Sequence, residues 1–149
     1  MEQRLREELT ALHARGFSGV LLGDIHLADV RAWYEERVTA AGLEHVEPIW
    51  GEPPADLVRE FVDSGGRAVI TCVDEQRLDR SWLGRVIDER FAEDIANTGV
   101  DPCGENGEYH SFAFRGPEFA ADVAWRPGDV RVEGRFSQLD VLPASAPVS

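Results

Sequence analysis

Leu5, Leu9 and Leu12 fall at helical spacing among charged positions in residues 2–15, and Gly16 follows directly. Apolar side chains at i, i+4 and i+7 form one stripe on a helix, and a glycine behind them is a common stop, so an amphipathic helix is expected here. The next apolar block, Gly19-Val-Leu-Leu-Gly-Asp-Ile25, runs almost without polar interruption. A strand buried on both faces of a parallel sheet reads this way. Its polar end puts Asp24 and His26 at the carboxyl edge, where open α/β sheets place ligands. Asp24 or Asp29 can equally serve as the cap of the next helix.

That helix is expected from about Val30 to Ala41, with Trp33, Tyr34, Arg37 and Val38 at helical spacing and Gly42 behind it. His45–Trp50 reads as a short second strand, stopped by Gly51 and Pro53-Pro54. Leu57, Val58, Phe61 and Val62 then mark a helix over Ala55–Asp63, and Gly65-Gly66 ends it. Arg67–Val73 is β-branched and apolar, a third strand that ends in Asp74-Glu75 at the same expected edge. Strand and helix alternate, which implies right-handed crossovers and a parallel sheet. Ser64-Gly65-Gly66-Arg67 has the look of a phosphate loop, but a helix precedes it and a strand follows, the reverse of the order that aims amides at an anion. It reads as a helix stop.

From Ser81, a candidate N-cap, a longer helix is expected through Trp82, Leu83, Val86, Ile87, Phe91 and Ile95. Beyond the glycines of 99–107, Tyr109–Arg115 and Phe119–Trp125 look extended, Arg126-Pro-Gly-Asp129 reads as a turn, and Val130–Val141 as another strand. The fold class expected is therefore α/β, a parallel sheet with helices followed by a small antiparallel β part. A single domain over 1–142 is expected, with the parallel part in 1–98, the glycine-rich motif and β part in 99–142, and a frayed tail at 143–149.

The stretch GVDPCGENGEYHS at 99–111 carries more chemistry than a turn needs. Gly104 and Gly107 permit sharp bends, while Glu105, Glu108 and His110 can bind cations, accept protons or orient a nucleophile. If Glu108 opens a strand, Glu108 and His110 share one face, and Tyr109 and Ser111 the other. A solvated polar loop is the plainer reading of the same residues. No metal centre is expected, since a Glu-x-His pair supplies two ligands where a dedicated site takes three or four.

Composition narrows the partners. Fifteen Lys and Arg stand against 28 Asp and Glu, a net charge of −13 spread along the chain. Nucleic-acid backbones and anionic membranes are therefore disfavoured, and no apolar run approaches the ~20 residues that span a bilayer. Cys72 and Cys103 belong to no CxxC pair and are expected as reduced thiols in a cytoplasmic protein.

Five strings carry a resemblance: GDI at 23–25, PIW at 48–50, AVITCVD at 68–74, GVDPCGENGEYHSF at 99–112 and FRGPEF at 114–119. Together they resemble the carboxyl-side portion of the diphthine–ammonia ligase-like, adenine nucleotide alpha-hydrolase-like ATP-binding family, over about residues 5–120. The resemblance implies a Rossmann-like sheet and an ATP-dependent ligase that converts a small-molecule carboxylate to an acyl-adenylate and then, with ammonia or an amine, to an amide. It implies ATP and magnesium as cofactors. It places Asp24 at the nucleotide-facing edge. Gly104, Asn106, Gly107 and Tyr109 would line the acyl-acceptor side, with Glu105, Glu108 and His110 as catalytic candidates. Glu108 or His110 could deprotonate the nitrogen, and Glu105 could hold magnesium.

Family members begin with an SGGKDS pyrophosphate loop, and no such string occurs in residues 1–149. The expectation is a truncated or split form that binds ATP weakly, with a partner chain supplying the loop. A homodimer, or the chain's own amino-terminal helix or carboxyl-terminal hairpin, would cover the exposed edge of the Gly19 strand. Diphthine-modifying members carry EGGEYE-like strings, whereas Glu105-Asn-Gly-Glu-Tyr-His110 is similar to a bacterial branch. The alternative is a non-catalytic module derived from the family that binds a small metabolite or a subunit.

Overall fold

The computed structural model describes residues 2–144. Its contacts divide the chain into two compact units, which meet in sequence between Glu52 and Pro53. Among the described residues no helix is long and apolar enough to cross a membrane.

The first unit holds α1 (Glu2–Ala14), β1 (Gly19–Leu21), α2 (Ala28–Ala40) and β2 (Glu44–Val46). Leu9 of α1, Val38 of α2 and Leu43 form its buried centre, with Leu5, Leu12 and Val20 packed against them. β1 and β2 are parallel, with Gly19 opposite Glu44. Both strands are shorter than their apolar runs suggest. Leu21 is 74% exposed, so the expected burial of this strand on both faces is corrected. Alternation turns Val20 toward the core and Leu21 away from it, as one covered face requires.

The second unit holds α3 (Pro54–Asp63), β3 (Arg67–Asp74), β4 (Val86–Ile87), α4 (Glu89–Ile95), β5 (Tyr109–Arg115), β6 (Trp125–Glu133) and β7 (Phe136–Pro143). β3 lies at its centre. Val69, Ile70 and Val73 of this strand are fully buried, but every pairing it makes, with β4, β5 and β7, is antiparallel. The third strand therefore does not continue the parallel sheet, and Asp74 does not share a sheet edge with Asp24. The two-stranded parallel sheet and the antiparallel sheet are separate. The α/β class stands, with the parallel part reduced to β1 and β2.

The long helix expected from Ser81 is also corrected. A short 3-10 turn at Arg80–Trp82 gives way to Gly84 at φ +80, a backbone conformation that other residues enter only with strain. The chain reverses there, donating from the Gly84 amide to the Ile70 carbonyl at 2.9 Å. Val86 and Ile87 then pair with Val69 and Ala68, a use of β-branched side chains that a helical stripe hides. α4 begins only at Glu89, where the Asp88 carboxylate accepts from the Phe91 amide at 2.8 Å.

Residues 119–124 form no strand. They turn back so that the Val123 amide donates to the Phe114 carbonyl at 2.8 Å, with Arg115 paired to Asp122. Arg126–Asp129 is not a turn but part of β6, with a register shift between Pro127 and Val130. The reversal instead lies at Gly134-Arg135, dividing the expected Val130–Val141 strand into the β6–β7 hairpin. That hairpin is paired to β3 and so belongs to the antiparallel sheet. Of the expected tail, Pro143 closes β7 and residues 145–149 lie outside the described residues.

Candidate functional site

β3 ends at Asp74, and the Asp74 amide donates to the Glu108 carbonyl at 2.9 Å, so the end of the central strand is joined to the glycine-rich segment. The segment is built from nested turns. The Asp101 carboxylate accepts from the Cys103 amide at 2.8 Å, its carbonyl accepts from the Gly104 amide at 3.0 Å, and the Gly104 carbonyl accepts from the Gly107 amide at 3.0 Å. A short polar side chain that bonds two residues ahead is a local turn device. Tyr109 follows as a core residue. Its ring meets Phe91 edge-on at 5.8 Å, and its hydroxyl donates to the Pro102 carbonyl at 2.6 Å.

Glu108 is buried, and its Oε1 is 3.4 Å from Arg77 Nη1, 3.3 Å from the Asp101 amide and 3.5 Å from Asn106 Nδ2. Glu108 Oε2 accepts no hydrogen bond. Asp74, equally buried, accepts from the Gln76 amide at Oδ1. Its Oδ2 faces Arg77 Nε at 3.6 Å and Arg135 Nη2 at 3.1 Å. Arg135 also donates to Gln76 and lies over the Phe136 ring. Buried carboxylates are tolerated when countercharges stand beside them, and two guanidiniums meet that need here. Arg80, bonded to Glu75 and to the fully buried Ser137, braces the same end of the sheet.

Glu108 and His110 do not share an environment. Glu108 precedes β5 and is buried; His110 lies in the strand, opposite Cys72, with its side chain exposed. A register shift between Ile70 and Cys72 breaks the simple alternation. Tyr109 and Ser111 part likewise, one buried and one exposed. Asn106 and Gly107 are exposed, Gly104 is buried, and Glu105 is half-buried. Asp24 is half-buried in the first unit, beyond the end of β1.

The thiols differ from ordinary cysteines. Burial, with Asp101 and Glu105 nearby, pushes Cys103 up to about 11, and its Sγ lies 3.3 Å from the Pro54 carbonyl. Burial, then Asp74, also raises Cys72. Both act against thiolate formation, which leaves neither cysteine activated as a nucleophile.

A phosphate cradle needs backbone amides free to face the anion. At 64–66 the Ser64, Gly65 and Gly66 amides donate to the Glu60, Val62 and Phe61 carbonyls. At 104 and 107 the glycine amides are also bonded within the turn. The glycine amides of both turns are therefore committed to the chain itself and not to an anion.

Arg77 and Arg135 escape sequence reasoning because nothing in their spacing ties them to Asp74 or Glu108. The available signal is indirect: a carboxylate at the end of a buried strand needs a cation from somewhere in the chain. The family model of the diphthamide synthase C-terminal domain matches residues 53–129, which contain β3, Arg77 and the whole 101–110 segment. No curated protein matches the chain. With that match covering more than half of its length, the chain belongs to the diphthamide synthase C-terminal domain family, a member of the diphthine–ammonia ligase-like group.

Proposed function

We propose that this chain serves the amide-forming step of an ATP-dependent ligase, in which ammonia or an amine attacks a carboxylate already activated as its adenylate. Glu108 carries the reading: a buried carboxylate in the family-matched segment, held through Oε1 and with Oε2 open to accept a proton. As the nitrogen bonds to the acyl carbon and AMP departs, the nitrogen must lose a proton. A positioned base contributes roughly 10²–10⁴-fold to such a step. Glu108 is the general base in place of the exposed His110, and Glu105 and Asn106 border the acceptor. ATP and magnesium would supply the activation of the acid, with Asp24 of the first unit the candidate for nucleotide contact. The cytoplasm, where thiols such as Cys72 and Cys103 stay reduced, is the expected site of action.

A second reading has its own support. Tyr109, Gly104 and Glu108 each have a structural task in the second unit, as expected of a module that binds a metabolite or a subunit without catalysis. Acetyl adenylate separates the two, because it bypasses activation of the acid by ATP. With ammonium present, the protein should raise acetamide formation above the uncatalysed rate, and Glu108→Gln should remove most of the gain. Acetamide formation that does not rise above the uncatalysed rate favours the non-catalytic module.

A further inference from the structure

β6 is the last strand of the antiparallel sheet, and among the described residues nothing pairs with its outer edge. Pro127 and the register shift between Pro127 and Val130 spoil the first half of that edge, because a proline offers no amide and an extra residue breaks a ladder. Residues 130–133 are regular, with four successive partners in β7. The direction of their backbone groups follows from the neighbouring strand. The Glu75 amide donates to the Arg135 carbonyl at 2.8 Å, so Arg135 and, two residues on, Ser137 turn their backbone polar groups toward β3. Phe136 and Gln138 therefore turn theirs toward β6, to Glu133 and Arg131. That leaves the N–H and C=O groups of Val130 and Val132 directed away from β7, on the open edge. Their side chains are exposed as well, 52% and 56%.

An open edge of this kind is a template for a further strand, and charge selects which one. Residues 126–135 carry three arginines against one aspartate and one glutamate, in a chain of net charge −13, so a second copy meets little repulsion here. An antiparallel pair centred on Val132 sets that valine against its own counterpart and Arg131 against Glu133 of the partner subunit, twice by symmetry. Centring on Arg131 would oppose two arginines, and centring on Val130 would run into the shifted register. We propose that the free edge of β6 binds a second copy of this chain through residues 130–133, joining two antiparallel sheets into one. Arg131 also meets Asp140 of β7 at 2.5 Å, which keeps its guanidinium close to the strand. This edge lies in the second unit and is separate from that of β1. Only a short segment pairs on each side, so the dimer is weak and its population follows concentration.

Sedimentation velocity of the full chain over a range of concentrations tests the interface, and a monomer–dimer equilibrium is expected. Arg131→Glu and Glu133→Arg should each weaken it at least about tenfold, since each turns two attractive pairs into two repulsive ones. Mixing the two variants restores both pairs and should recover the dimer, which also shows that each variant is folded. Should either charge variant unfold, Val132→Pro, which removes an edge amide and no bond to β7, should abolish the dimer instead. A chain that stays monomeric up to about 1 mM overturns the inference. So does a dimer that any of these variants leaves intact, or a mixture of folded charge variants that stays monomeric.

Discussion

The Tyr109 ring occupies the space that a Cβ on Gly104 would need: built there, that atom would lie 2.9 Å from Cδ1 and Cε1 of the ring. Gly104 also stands at φ +71, so both its shape and its backbone exclude a side chain. The same tyrosine packs on Phe91 and holds the Pro102 carbonyl. Glycine and tyrosine in this motif thus fix the loop before any ligand arrives.

Gly104→Ala should cost about 1–3 kcal/mol, from the strained backbone and the displaced ring. Tyr109→Phe, which keeps the ring and loses one hydrogen bond, should cost about 1 kcal/mol. Chemical denaturation measures both. Equal losses for the two would show that the ring contact with Gly104 does not constrain the turn.

Arg77→Ala should destabilise the fold by about 2 kcal/mol, since it leaves Glu108 and Asp74 buried with less countercharge. Half-exposure of Arg77 keeps the loss below that of a fully buried pair. The double variant Arg77→Ala/Glu108→Gln should recover part of the loss. A double-mutant cycle with no coupling would contradict the contact.

Alkaline pH should weaken the fold. Burial, then Asp101 and Glu105, raises the Cys103 thiol from 9.0 to about 11, and burial, then Cys103, raises the Tyr109 hydroxyl above its usual range. The folded state holds these protons more tightly than the unfolded chain. Stability is then full below about pH 9 and falls as the unfolded groups ionise between pH 9 and 11. Denaturation midpoints across that range should fall less in Cys103→Ala, and iodoacetamide at pH 8 should modify Cys103 slowly. Rapid labelling in the native state would refute the shift.

Magnesium–ATP should bind this chain more weakly than the micromolar range, about −8 kcal/mol. The Gly65 and Gly66 amides are already committed to carbonyls of α3. Calorimetry gives the answer, and micromolar binding would reveal a nucleotide site outside the glycine-rich turns.

Leu21→Lys should change stability by less than about 0.5 kcal/mol, the range of an exposed site. Val69→Ala, at a fully buried position, should cost about 1–3 kcal/mol. A large loss at Leu21 would show that this residue is covered in solution.

Periodicity in the sequence determined where α1, α3 and β3 lie, because each has one apolar stripe or run and clear stops, and the helix stop at Gly65-Gly66 was legible from the order of elements around it. The 99–111 segment was legible as the chemical centre because glycines and carboxylates coincide there. Only tertiary structure decided the rest. An apolar strand such as β3 reads alike in a parallel sheet and in the middle of an antiparallel one, since both bury it on two faces. Val86 and Ile87 fit a helical stripe as well as a strand until Gly84 reverses the chain. Glu108 and His110 lie two residues apart, yet one precedes β5 and is buried while the other follows β5's exposed face. Arg135 meets Asp74 across 61 positions of chain because the β6–β7 hairpin folds back on β3. Spacing encodes contacts along one element; the countercharges of a buried site come from wherever the sheet brings the chain together.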